Sequence, residues 1–383
     1  STLTCAGTAT FAGNDMNFYD FSATSTNTDT IIFQRGKTYT VANALTLEGG
    51  DGVELYLKSD DGDGYAVIEH TGEAQSVDYV RVLKVDGTAA NHIAATNSWD
   101  EDGSLEYWDF SAMIYTFDTT GDWDTVTNWS QNRIPAETDN IIVNAGITLT
   151  LNGDRTINNI YVEDDGTIAV GSDVFIVNGV SEIYGTITIT DGTVDANDAF
   201  DATFGTITFS GAGNLTLESM VESLGTLSGD GTVTYDGTEQ NIFGDAYYNL
   251  IAEGNGIKTL DGDVSVTDDF TIDADVTIAM DTHNLTVTDT TDVDGTLDVA
   301  GNTLYLNGAS VVAGTINIAA GTVDTEGTFD ATGGNITFTG AGELKIAGAV
   351  TSLGTLSDDF GTVTYDAAIA QTIVAGGYYS LKA

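Results

Sequence analysis

Residues 185–210 read Gly-Thr-Ile-Thr-Ile-Thr-Asp-Gly-Thr-Val-Asp-Ala-Asn-Asp-Ala-Phe-Asp-Ala-Thr-Phe-Gly-Thr-Ile-Thr-Phe-Ser, and they return to their starting pattern after 20 positions. Gly185-Thr186-Ile187-Thr188-Ile189 becomes Gly205-Thr206-Ile207-Thr208-Phe209. Working outward, the glycine falls at 166, 185, 205 and 225, and again at 295, 314, 334 and 354. An aliphatic residue follows two positions on: Ile168, Ile187, Ile207 and Leu227, then Leu297, Ile316, Ile336 and Leu356. A second apolar column lies two further on, at Val170, Ile189 and Phe209 and at Val299, Ile318 and Phe338. The residues between, such as Thr188, Thr208 and Thr337, are polar. Alternation at period two puts one face in and one face out, as a strand requires. A strand recurring every 19 to 20 residues with matched inward positions predicts an all-β parallel β-solenoid. A β-sandwich uses similar strands but has no reason to keep a fixed register of this length.

The short period sits inside a longer one. Residues 185–252 and 314–383 match at an offset of 129, rising to 131, with roughly 40 of 68 positions identical. The chain therefore holds two units of about 130 residues, 123–252 and 253–383. From residue 137 on, about three strands per coil and about 4.8 Å between coils predict about twelve coils and a rod of about 60 Å. The lone proline, Pro135, precedes the regular coils, where it removes no ladder donor.

Residues 1–110 lack the glycine register but still read as strands, at 31–33, 39–41, 45–47, 53–57 and 79–83, separated by Gly- and Asp-rich turns. They are expected to form an N-terminal all-β module or an irregular solenoid cap. Residues 111–136, with Trp123 and Trp129, form a junction, and 137–383 form the regular solenoid.

Composition narrows the function. The 383 residues carry 58 Asp plus Glu against 10 Lys plus Arg, a net charge of −48. Such a polyanion does not grip nucleic acid or an anionic membrane face. No apolar run is long enough to span a bilayer. One cysteine excludes an internal disulfide framework, and three histidines with one cysteine argue against zinc. Of the acids 43 are Asp, the turn former, and 15 are Glu, so the charge belongs at turns between strands. The start at Ser1 reads as a processed N-terminus, and Cys5 as a buried or free thiol.

A resemblance comes with particular residues. Gly121-Asp122-Trp123, Asn128-Trp129, Ile134-Pro135 and Asp139-Asn140-Ile141-Ile142-Val143 together resemble the opening segment of secreted bacterial cell-surface proteins with repetitive β-helical stalks, of adhesin or autotransporter-passenger type. Val77–Val82 followed by Asn97–Gly103, and Val233-Thr234-Tyr235-Asp236 with Gln240 and Tyr247-Tyr248-Asn249-Leu250, are similar to modules of the same proteins. The resemblance implies an extracellular or cell-surface location and an adhesive or structural role. It transfers no catalytic residue.

Three acidic clusters are candidate metal sites: Asp60, Asp61 and Asp63; Asp100, Asp102 and Glu106; Asp292, Asp294 and Asp298. Hard oxygens at a tight turn suit calcium, although none of the three completes a twelve-residue calcium loop. Solvated turn aspartates are the alternative. Asn128, Asn214, Asn284 and Asn335 each begin an Asn-X-Ser/Thr triplet. Parallel β-helices also host polysaccharide-active enzymes, but Arg155, Lys258, Lys345 and Lys382 are scattered, and His70, His92 and His283 lie in no nucleophile motif. The chain is therefore expected not to be an enzyme. Aromatic residues Trp99, Tyr107, Trp108 and Phe110 are either sugar-stacking or core residues.

The second unit closes on Tyr378-Tyr379-Ser380-Leu381-Lys382-Ala383 with no polar cap. An uncapped solenoid end invites another strand, unless residue 383 is a boundary within a longer adhesin. The expected function is the structural subunit of an extracellular filament or sheath, copies joining head-to-tail, with strand exchange through residues 1–22 as one route. An adhesin stalk that presents a glycan-binding module is the alternative.

Overall fold

A computed structural model describes residues 2–50, 53–60, 64–101, 105–357 and 359–383. The chain is nearly all β and forms a parallel β-solenoid of about 19 turns. It divides into two compact units: Ser1–Tyr115 with Gln131–Asn140, and Thr116–Ser130 with Ile141–Ala383. Residues 111–136 are thus shared between the two. Among the described residues no helix is long and apolar enough to cross a membrane.

In the second unit the sequence columns are ladders. Ile168 pairs with Ile187, Ile187 with Ile207, and Ile207 with Leu227, parallel and in register. Leu297, Ile316, Ile336 and Leu356 repeat the arrangement. Ile168, Ile207, Leu297, Ile316 and Ile336 are fully buried, each contributing about 1.5–3 kcal/mol of burial. The glycine column has a steric cause. Thr206 N–H donates to Gly185 O at 2.9 Å, and Thr186 N–H to Gly166 O at 2.8 Å. A Cβ at Gly185 would lie 2.2 Å from Gly166 O, so the carbonyl of the previous coil fills the side-chain space.

Each coil has three short strands, for example Thr186–Ile189, Thr193–Ala196 and Phe200–Asp201. Five ladders arise from them. The first runs through Ile160–Val162, Ser181–Ile183, Phe200–Asp201 and Val221–Ser223. The second ends at Thr226–Ser228. The third has 11 strands, from Arg155–Ile157 to Val350–Ser352. The fourth runs from Gln240–Ile242 to Thr355–Leu356, and the fifth from Ala246–Tyr247 to Leu381–Lys382. Among the described residues only the third ladder continues from one 130-residue repeat into the other. The first and second stop, and the fourth and fifth take their places in the coil.

Sequence-equivalent strands of the two repeats therefore lie on different faces. Phe200 is on the first ladder and its counterpart Phe329 on the third; Thr206–Phe209 is on the second and Asn335–Phe338 on the fourth. Asn214–Leu217 is on the third and Glu343–Ile346 on the fifth. The cause is arithmetic: about 130 residues at about 19.5 per coil is about six and two-thirds coils, so each repeat steps round by one face.

The first unit is built the same way with looser spacing. Thr2–Ala6, Met16–Thr24 and Thr38–Glu48 form one parallel ladder. Ala9, Ile31, Leu57, Val82 and Asp100 mark steps of 22, 26, 25 and 18 residues along another. Variable turn length, not a different fold, is why no register shows in residues 1–110. The core there centres on Phe21, Phe33, Tyr39 and Leu45, with Phe33 and Tyr39 rings 4.8 Å apart.

Ile207→Asp places an unpaired charge in a dry column and should cost about 4 kcal/mol or more. Thr208→Asp, one residue on and facing outward, should stay within about 0.5 kcal/mol. Denaturant melts of the two variants check this, and equal losses would contradict the inward-outward assignment.

Candidate functional site

The most elaborated polar structure lies where one repeat meets the next. The turn after Thr232–Tyr235 must end two ladders and start two others, which leaves backbone groups without strand partners. Gln240 bonds three backbone groups beside this turn. Its Nε2 donates to Leu217 O at 2.8 Å and to Ser219 O at 2.7 Å, and its Oε1 accepts from Gly237 N–H at 3.0 Å. Leu217 O also accepts Asp236 N–H at 3.1 Å, so the amide adds to that bond, and it supplies a partner to Ser219 O and Gly237 N–H. Beside it Tyr235 and Tyr247, both buried, have hydroxyls 2.9 Å apart. Tyr247 donates to Phe243 O at 2.6 Å, so Tyr235 donates to Tyr247 while accepting from Phe243 N–H at 3.1 Å. Burial pushes both hydroxyl pKa values up and keeps the circuit neutral.

The second repeat then seats on this platform. Gly256–Leu260 pairs with Gln240–Ile242, and Phe270–Ile272 with Asn249–Ala252. Ile242 and Leu250 are fully buried beneath them. Lys258 is also fully buried, its Nζ donating to Gly237 O. Burial lowers the Lys258 pKa, and the nearby carboxylates of Asp236, Glu253 and Glu239 act against that. Grooves flank the splayed strands, one lined by Glu218, Met220, Val221, Glu239 and Asn241.

The circuit is rebuilt at the end of the second repeat. Gln371 Nε2 donates to Ile346 O at 2.9 Å and Gly348 O at 2.8 Å, and Oε1 accepts from Ala367 N–H at 3.3 Å. Tyr365 accepts from Val374 N–H at 3.2 Å, and Tyr378 donates to Val374 O. Leu381–Lys382 pairs with Val363–Thr364 as Leu250–Ile251 pairs with Val233–Thr234. The apolar cover differs. Ile373 and Leu381 are each 43% exposed, where their counterparts Ile242 and Leu250 are at 0%. Sequence reading marked this segment through its resemblance but missed its role. The available signal was that Gln240 and Gln371, with a tyrosine pair about each, survive a one-residue insertion between the two repeats.

The predicted metal residues fall as follows. Asp61, Asp63 and Asp102 lie outside the described residues. Asp60 Oδ1 accepts from Arg35 N–H at 2.9 Å, and Asp100 Oδ2 from Leu105 N–H at 2.8 Å, as turn carboxylates do. Glu106 receives no such role; its backbone N–H donates to Asp86 at 3.1 Å. Asp298 Oδ1 accepts from Asn317 Nδ2 across the fourth ladder. Asp292 faces out from the third ladder, and its pKa is raised by partial burial and by Asp294. Among the described residues no three His, Cys, Asp or Glu side chains are grouped to hold a metal ion.

His70 is buried against Asn43 O at 3.2 Å, His92 pairs with Asp109 at 2.9 Å, and His283 lies 3.9 Å from Asp263. Cys5 is buried and unpaired. Asn128 is buried with its amide on Asp122 O, whereas Asn335 is exposed. Trp108 packs into the core of the first unit, its Nε1–H donating to Val85 O at 2.8 Å. Trp99 borders a cleft with Glu54, Arg81, Glu101 and Arg133, in which Arg81 pairs with Glu101 and the Arg133 guanidinium lies 5.0 Å from the Trp99 ring. No protein-family model, curated protein or solved structure matches the chain.

Burial raises the carboxyl pKa values of Asp195, Asp236, Glu253, Asp292 and Asp324. Asp20 and Glu343, held by hydrogen bonds, are lowered. For the larger set the folded state keeps protons that the unfolded chain releases, so stability rises as pH falls toward the carboxylate range. The gain stops below the unfolded values. Melting should occur at a higher temperature near about pH 5 than at about pH 7; thermal scans giving the reverse order would contradict the assignment.

Proposed function

We propose that this chain is the structural subunit of an extracellular filament or sheath, built by end-to-end association of its coils with copies of itself. One observation carries the reading. Residues 365–378 repeat the glutamine and tyrosine hydrogen bonds that sit where one repeat meets the next at residues 235–247. A joint that recurs with the long repeat suits the stacking of further coils along the ladders. The acidic sides oppose lateral contact through like-charge repulsion, so growth is favoured along the ladders. Calcium enters this proposal as a counter-ion that relieves repulsion at the acidic turns. The extracellular setting rests on the resemblance to secreted surface proteins with β-helical stalks.

A second reading, a stalk that presents a glycan-binding module, is favoured by the cleft of Arg81, Trp99 and Arg133, where the Arg133 guanidinium lies over the indole and Arg81, paired with Glu101, lines the same wall. The proposal assigns no catalytic role to any residue.

Negative-stain electron microscopy over a concentration series, with calcium and with a chelator, tests the main reading. Filaments of uniform width are expected. Single particles at every concentration in both conditions would contradict it.

A further inference from the structure

We infer that the outward face around Tyr161, Tyr184 and Phe204 docks an extended arginine- and lysine-rich polypeptide segment of another protein. This contact is on the flank of the coils and is independent of the filament reading.

The three rings form a row along the first ladder. Tyr161 faces outward from Ile160–Val162. Tyr184 and Phe204 follow one and two coils on, each just before the glycine of its coil. Ring centroids are 5.3 Å apart for Tyr161 and Tyr184 and 5.8 Å for Tyr184 and Phe204. Phe204 is 76% exposed. Val180 and Met220, also exposed, precede the strands Ser181–Ile183 and Val221–Ser223 of the same ladder.

The fold does not call for these side chains. At an offset of 129 the second repeat has Ala309, Ala313, Gly333 and Ala349 in place of Val180, Tyr184, Phe204 and Met220, and Val311 in place of Glu182. The coils there keep the same pairing, with Ser310 opposite Phe329 as Ser181 is opposite Phe200. Large exposed apolar side chains that the backbone does not need mark a contact surface.

The charge beside the rings selects the partner. Glu182 stands next to Tyr161 in the ladder, and Asp201 next to Glu182. Burial, Tyr184, Glu163 and Glu182 raise the Tyr161 hydroxyl pKa, so these carboxylates act at the ring row. No Lys or Arg occurs from residue 156 to residue 257. Elsewhere the protein fills such ring and carboxylate pairs itself. Arg81 lies 4.3 Å from the Tyr56 ring and pairs with Glu101, and Arg155 lies 5.8 Å from the Trp123 ring and pairs with Asp124. A long cationic side chain lays its stem on an aromatic face and its head on a carboxylate. The row offers both partners to a cation supplied from outside. A second copy of this chain, at −48, and any anionic polymer are opposed by like-charge repulsion.

The test titrates the full chain into fluorescein-labelled hexa-arginine and reads anisotropy at about 0.15 M salt, which screens diffuse attraction to a polyanion. One variant combines Tyr184→Ala with Phe204→Gly, giving the first repeat the residues of the second. A second variant is Glu182→Gln. The control is Tyr305→Ala, which removes a ring that is 41% exposed on the fifth ladder. Circular-dichroism melts verify that each protein is folded. Wild type and Tyr305→Ala should bind alike. The ring variant should bind about five- to tenfold more weakly, and Glu182→Gln should also weaken binding. The assignment falls if wild type does not bind, if the ring variant binds as tightly as wild type, or if Tyr305→Ala loses as much as the ring variant. Cellohexaose supplies the remaining arm. If wild type binds it and the ring variant does not, while hexa-arginine binds both equally, the face is a sugar platform and the proposal is overturned.

Discussion

The parallel backbone ladder constrains everything else in this protein. Each strand must meet its counterpart one coil later in register, so a coil has a fixed length unless a turn absorbs the difference. The glycine column expresses that constraint in covalent terms. Gly166, Gly185 and Gly205 lend carbonyls to the threonine of the next coil, and a Cβ at Gly185 would collide with the carbonyl beneath it. Once this spacing is set, the inward aliphatic columns follow by period-two alternation, and the core fills without a long-range loop.

The repeat length conflicts with the coil length, and the junction resolves the conflict. A repeat of about six and two-thirds coils cannot place equivalent residues on equivalent faces. Two of three ladders are given up at the boundary, and a glutamine amide and a pair of tyrosine hydroxyls bond backbone groups there. Lys258 closes the joint from the other side. The internal joint thus shows what chemistry these coils use to accept another set of coils, and the same chemistry recurs at residues 365–382.

The fold was legible from residues 166–228 because their inward and outward positions stay separate over a constant step. The step round by one face was hidden. Aligning Phe200 with Phe329 suggests a shared face, whereas the ladders put them on different ones, and only the strand pairing reveals it. The solenoid character of the first unit was hidden for a different reason. Steps of 22, 26, 25 and 18 residues leave no period to detect, although the strand positions themselves could be read. Gln240 went unassigned because a side chain that bonds turn backbone has no pattern of its own. Asp60 and Asp100 show the ambiguity of an acidic turn. The same carboxylate that suits a cation also accepts the backbone N–H of its own turn or of a neighbouring coil.

The excess of acid lies on the sides of the coils, where outward positions and turns hold it. Whether one ladder alone carries the structure from repeat to repeat is the central point, and amide hydrogen exchange resolved to single residues tests it most directly. Amides of Thr232–Tyr235 and Asn249–Ala252, on the continuous third ladder, should be as protected as those of Thr206–Phe209 in mid-repeat. Amides of Val221–Ser223 and Thr226–Ser228, where two ladders stop, should exchange faster. Uniform protection across all of these strands, or least protection on the third ladder, would contradict the account.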